Sequence, residues 1–199
     1  SALYASKCRI LRTLRIPSER FWKSGYVRCI RRVLRLTEKR LPMKLLFKQR
    51  FFSWFDSYDI FNEAGDTVYV VKGQLSWGHC LKIFDAFGNE VGSVRERVLT
   101  FLPKFEMYMG EQYIGCIRKA LTFFRPRYDV DCNGWYVEGN FLEWDYNIRD
   151  AAGQEVAVVA KEVFHWTDTY SIYVYNPQDA LYALMLVLAI DAEKCSRGK

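Results

Sequence analysis

Apolar and polar positions alternate in short runs over most of residues 43–176, and one of these runs is written repeatedly. A Trp, an aromatic or Leu, an Ile, a Gly and two Val recur as Trp54, Tyr58, Ile60, Gly65, Val68, Val71 and, 23 residues on at every position, as Trp77, Leu81, Ile83, Gly88, Val91, Val94. Trp166, Tyr170 and Ile172 begin a further copy, and Tyr146, Ile148, Gly153, Val156 and Val159 keep the same internal spacing. A fixed period of about 20 to 50 residues marks one supersecondary unit used several times. Val-rich runs at 68–71 and 156–159 follow the turn sequences 62–66 and 150–154, so the unit is a β-hairpin. Gly65, Gly88 and Gly153 hold the same place in three turns, which predicts a positive φ that would cost any residue with a Cβ.

A second unit recurs 22 to 23 residues apart, as Leu99-Thr100-Phe101-Leu102-Pro103-Lys104-Phe105 and Leu121-Thr122-Phe123-Phe124-Arg125-Pro126-Arg127-Tyr128. Proline removes a ladder donor, so each copy is expected at a strand start, a bulge or a crossing between hairpins. The rhythm ends at Asn176-Pro177-Gln178-Asp179, which offers an N-cap, a Pro at the first helical position and an acidic first turn. Eleven unbroken apolar residues follow at 180–190, then Asp191, Glu193 and Lys194. A helix from about Pro177 to Lys194 is predicted, roughly 27 Å long.

That helix has no polar face, so something must surround it. A membrane span needs about 20 apolar residues, and the run here is 11. The strands are therefore the expected wrapping. A helix is about 10 to 12 Å across, which calls for a closed barrel of more than eight strands; the hairpins imply near twelve. Leu181, Leu184, Met185 and Leu188 are the expected buried face, together with Leu186, Val187 and Ile190. Burying these seven side chains is worth roughly 10 to 20 kcal/mol before entropy, more than a typical net stability. The barrel is not expected to fold without its helix.

Charge divides the chain. The whole carries 29 Lys+Arg and 23 Asp+Glu, but residues 1–42 hold 12 basic and two acidic side chains, leaving 17 basic and 21 acidic residues in 43–199. The leader suits a basic amphipathic helix, with Ile30, Val33 and Leu34 among arginines, or an Arg-rich transit peptide. The third reading, an extension outside the fold, is favoured by Pro42 and by Met43 opening the hairpin pattern. Residues 43–199 then form one domain. Its Cys80, Cys116, Cys132 and Cys195 lack paired short spacing, so they are expected as small buried hydrophobes in a reducing cytoplasm rather than as a zinc site or disulfide framework.

Six segments carry a resemblance to a known family: Phe47-Lys48-Gln49-Arg50, Phe101-Leu102-Pro103-Lys104-Phe105-Glu106-Met107-Tyr108, Phe124-Arg125-Pro126-Arg127-Tyr128, Trp135-Tyr136-Val137-Glu138-Gly139-Asn140-Phe141, Trp166-Thr167-Asp168-Thr169-Tyr170, and residues 183–192. In this order, over essentially all of 43–199, they make the chain resemble the LURP-one-related proteins. The resemblance implies a tubby-like fold, mainly β with one helix: about twelve strands around a hydrophobic C-terminal helix. It implies no established chemistry. Tubby-like domains bind phosphoinositide headgroups, and phospholipid scramblases are thought to share the barrel. No ligand residue of either matches a motif here.

Candidate sites are sparse. Asp56, Asp145 and Asp168 each precede the Tyr of a repeat unit, and His79 and His165 flank Trp77 and Trp166. A position that recurs points to recurring structure, here bends and hydrogen-bonded histidines, rather than to acid–base or metal chemistry. No phosphate loop, nucleophile elbow or dinucleotide fingerprint occurs, so the chain is read as no enzyme and as needing no cofactor or metal. Lys72, Arg95 and Arg118 close hairpins, while Lys104, Arg125 and Arg127 flank prolines; together they are a candidate rim for an anionic ligand. The expected function is a cytoplasmic binding module, peripheral to membranes, for a phospholipid headgroup or a protein partner. The alternatives are a carrier of a small apolar molecule and a scramblase-like membrane-active protein. Nucleic acid is excluded by the acidic balance of 43–199.

Overall fold

The computed structural model describes residues 41–48, 57–74, 76–122, 126–141, 144–162 and 169–197. The expectations for the basic leader, for Trp54, Asp56, Arg125, His165, Trp166 and Asp168 lie outside these. Among the described residues the chain forms twelve strands: β1 Met43–Lys48, β2 Ser57–Phe61, β3 Thr67–Gln74, β4 Cys80–Asp85, β5 Glu90–Glu96 and β6 Lys104–Met109. They continue as β7 Gln112–Ala120, β8 Arg127–Val130, β9 Tyr136–Asn140, β10 Asp145–Arg149, β11 Glu155–Glu162 and β12 Thr169–Val174. Each pairs antiparallel with its chain neighbour, and β1 pairs with β12 from Met43↔Val174 to Lys48↔Thr169, so the sheet is a closed barrel without edges.

The repeated turns work as the sequence predicts. Gly65, Gly88 and Gly153 have φ of 86°, 84° and 80°, and each donates its N–H to the carbonyl of Asn62, Asp85 or Asp150. The ladder slips one register at Ile60/Phe61, Ile83/Phe84 and Ile148/Arg149, the same place in each unit. This is a turn closed by a glycine bulge. The turn-opening side chain fixes it further: Asp85 Oδ1 accepts from Phe87 and Asn89 N–H at 2.9 Å, and Asp150 Oδ1 likewise from Ala152 and Gln154. Bonds from the Asn89 side chain and backbone hold the Asp85 carboxyl below its usual range.

Because strands alternate in direction, the barrel has two different ends. Those three turns, the β6–β7 and β8–β9 turns and the entry to the helix lie at one, here the turn end; the β3–β4, β5–β6, β7–β8 and β9–β10 connections lie at the other, the loop end. Pro103 and Pro126 stand immediately before β6 and β8. The second sequence unit is thus a crossing between hairpins, where no ladder donor is needed.

Alternate strand residues face inward and are buried, among them Leu45, Ile60, Val71, Ile83, Val94, Ile117, Val137, Ile148, Val159 and Ile172. Among the described residues they enclose one α-helix. Asn176 caps a 3-10 turn, Pro177–Asp179, by accepting from Gln178 N–H, and α1 runs Ala180–Arg197 through the barrel. Every residue from Ala183 to Glu193 is buried, including Leu184, Met185 and Leu188; Leu181, in the first turn at the barrel mouth, is half-buried. Strands and helix share one contiguous core. The fit is tight at Gly92, where an added Cβ would run into Met185 Cε and lie 3.1 Å from the Tyr108 carbonyl. Cys80 and Cys116 are buried and Cys195 is half-buried, but Cys132 is exposed, because it sits on the β8–β9 turn rather than on an inward strand position.

Candidate functional site

Three successive connections at the loop end are tied together through their backbones. Glu96 N–H donates to the His79 carbonyl at 2.7 Å, Arg97 N–H to Lys104 at 2.9 Å, and Lys119 N–H to Pro103 at 3.1 Å. Thr100 Oγ1 binds the Arg97 and Leu102 carbonyls, which folds residues 97–102 into a compact loop. Leu99 has a φ of 64°, a region that disfavours a residue with a branched side chain. The result is an outward display of apolar groups. Trp77 is 92% exposed, Leu99 103%, Phe101 93% and Leu121 77%. Core packing cannot explain side chains that touch so little protein. Sequence reading placed Trp77 at a bend of the repeat and missed the display, although the recurrent Leu-Thr-Phe before each proline was its signal.

The five described candidate cations, Lys72, Arg95, Lys104, Arg118 and Arg127, lie on strand positions near this same end. Arg118 pairs with Asp131 at 3.1 Å, and Arg127 with Asp129 at 2.7 Å and Glu138 at 3.0 Å. Lys104 is the register partner of Arg118, and Arg95 that of Glu106. The Arg95 guanidinium lies 4.3 Å from the Tyr108 ring and Lys72 Nζ 4.7 Å from the Phe84 ring. Among the described residues, no carboxylate lies within ion-pair distance of Lys72, Arg95 or Lys104. Arg125 lies outside them. Of the five described candidates, two are thus matched by carboxylates and three are not; exposed Lys72 and half-buried Lys104 are among the latter, as is Arg95, whose Nε is buried.

Inside the same end, the last turns of α1 meet a polar cluster. Buried Glu193 accepts from Lys119 Nζ at 2.6 Å and from Tyr128 Oη. Asp191, 9% exposed, has its carboxyl pushed up to about 6 by burial, with Lys194 pulling it back down. Lys194 Nζ sits 4.0 Å from the Trp144 ring, and burial lowers its pKa. Trp144, Tyr170 and Phe47 close the aromatic wall, with centroids 4.6 Å and 5.5 Å apart. Ser196 Oγ lies 2.7 Å from His79 Nε2, and Glu96 Oε2 lies 3.3 Å from that same nitrogen. A nucleophile–base–acid relay needs the hydroxyl and the carboxylate on opposite ring nitrogens. Here both lie on Nε2, so that relay is not formed, and Ser196 Oγ also lies 3.1 Å from the Ala192 carbonyl of its own helix. Asp145 is exposed at the first position of β10. The whole arrangement fastens the helix to the strands. Among the described residues, no helix is long and apolar enough to cross a membrane.

Comparison with known proteins agrees with this architecture. The model of the LURP-one-related family matches residues 43–191. The Bacillus subtilis (strain 168) protein YxjI, itself uncharacterised, is 23% identical over 150 residues, covering 75% of this chain and 92% of YxjI. The X-ray structure of an Arabidopsis thaliana protein superposes with a TM-score of 0.57 at 18% identity, over 77% of this chain and 92% of that one. At that identity the likeness concerns the fold.

Proposed function

The chain belongs to the LURP-one-related family, and on that premise we propose that its barrel is a non-catalytic module that docks on anionic membrane surfaces with the loop end down. The observation that carries this is the display of Trp77, Leu99, Phe101 and Leu121 on adjoining connections, beside Lys72, Arg95 and Lys104. Apolar tips gain up to about 1.5 to 3 kcal/mol each on full burial, and each cation near an anionic leaflet adds about 1 kcal/mol. An anionic surface with an apolar interior uses both the tips and the cations. The arrangement also explains why a domain with more acidic than basic residues in 43–199 could approach such a surface, since the available cations cluster at one end. A cytoplasmic site of action, next to the anionic leaflet, follows from the same reading.

The test is vesicle flotation of the full chain with phosphatidylserine-containing and pure phosphatidylcholine vesicles. Residues 1–42 carry their own positive charge, so the decisive comparison keeps them constant: wild type against a Trp77→Ser, Leu99→Ser, Phe101→Ser variant. A loss of about ten-fold or more in partitioning, with an unchanged melting temperature, is expected. Equal binding by both proteins overturns the proposal, because the tips would then contribute nothing.

A further inference from the structure

The turn end holds a second feature that the loop-end reading does not use. An open cleft of about 520 Å³ lies between the β6–β7 hairpin, the β8–β9 turn and the entry to α1, lined among others by Tyr113, Trp135, Tyr182, Asp179, Gln112 and Asn133. Its chemistry is lopsided. Three aromatic rings and a carboxylate line it, with two side-chain amides, and no Lys or Arg does. The rings are held in place: Trp135 meets Tyr182 edge-on at 6.1 Å and 69°, and Tyr113 meets Tyr108 at 5.7 Å and 75°. Trp135, 7% exposed, forms the floor of the cleft, and Tyr182 stands at a steep angle to it rather than continuing one flat platform. Asp179 has no cationic partner within ion-pair distance among the described residues.

We infer that this cleft is a binding site for a small organic cation of the quaternary-ammonium type. Ring faces carry negative quadrupole density, and rings set at a steep angle can surround a cation that sheds its water easily, as a methylated ammonium does. Asp179 supplies the opposing charge, and the net acidity of residues 43–199 favours a cation over an anion. A compact alkali ion would keep its hydration shell and gain little from the rings; a phosphate would meet only a carboxylate and neutral groups. The amides of Gln112 and Asn133 are suited to a hydroxyl carried beside the charge. Asn133 Oδ1 accepts from Trp135 N–H at 3.1 Å, which leaves its amide N–H groups for a ligand.

Isothermal titration of the full chain with choline, and with its neutral isostere 3,3-dimethylbutan-1-ol, separates charge recognition from apolar fit. Saturable choline binding is expected, with the isostere about ten-fold weaker, the size of a desolvated cation–π contact. Asp179→Asn and Tyr113→Leu change side chains at the mouth of the cleft, and each is expected to weaken choline about ten-fold at unchanged melting temperature. Equal binding of choline and isostere overturns the inference, as does choline affinity that survives both substitutions. The same cation on a lipid is tested by flotation with pure phosphatidylcholine vesicles. Vesicle binding that Asp179→Asn abolishes, without binding of free choline, assigns the cation to a lipid headgroup; absence of both overturns the site. This outcome is independent of loop-end docking, which the Trp77, Leu99, Phe101 variant leaves to be read separately.

Discussion

Asp191 shows how a single residue can carry a stability cost that only the folded barrel reveals. Its carboxyl is 9% exposed, and burial pushes it up to about 6, above an unperturbed 3.8. Lys194 opposes the shift, while the carboxyl also faces buried Tyr146, whose phenol is likewise pushed up by burial first and by Asp191 second. The folded state therefore binds the proton more tightly than the unfolded state. Stability linked to this group is fully present below about pH 4 and is lost as pH rises through about 6. The difference of about two pKa units corresponds to at most about 3 kcal/mol. Asp191→Asn should consequently be more stable than wild type at pH 7.5, by about 1 to 3 kcal/mol, and no more stable at pH 4. Thermal unfolding of both proteins across that range checks it. An Asn that is destabilising at pH 7.5 would show that the charged form is held by contacts stronger than its burial penalty.

At the scale of elements, the fastening of α1 to the strands is the part that the sequence concealed. The run of apolar residues was legible to Ile190, since eleven uninterrupted apolar positions admit few alternatives. The structure carries burial three residues further, through Asp191, Ala192 and Glu193. Glu193 can be buried because Lys119, on β7, and Tyr128, on β8, both reach it. Their separations of 74 and 65 residues leave no local pattern to read. A buried carboxylate deprived of its cation costs about 3 to 5 kcal/mol, whereas replacing both partners by apolar side chains costs little. Lys119→Met is thus expected to destabilise by about that amount, and Lys119→Met with Glu193→Met to recover most of it. Urea denaturation of the two variants and wild type measures the coupling. A single variant as stable as wild type would mean that Glu193 is satisfied without Lys119.

For the whole molecule, the repeat fixed the wall of the barrel but not what stands at its two ends. Ile60, Ile83, Ile148 and Ile172 recur because every unit presents the same face to the helix, so periodicity reports them directly. Trp77, Leu99, Phe101 and Leu121 escaped that reading because an exposed apolar residue and a buried one look alike in sequence. The two sets bear on how the protein would meet a bilayer. Docking by the loop-end tips supplies at most a few kcal/mol per side chain, and only for groups already outside the fold. Withdrawing α1 to act as a membrane helix would keep its own apolar side chains out of water but would expose the inward strand residues that share its core, at about 1.5 to 3 kcal/mol for each large one laid bare. Loop insertion cannot offset that loss. Amide hydrogen exchange of residues 181–190 is therefore expected to stay as slow with phosphatidylserine vesicles as without them, while amides of residues 97–102 become better protected. Faster exchange across 181–190 on vesicles would mean that the helix leaves the barrel, and would favour a scramblase-like action over peripheral docking.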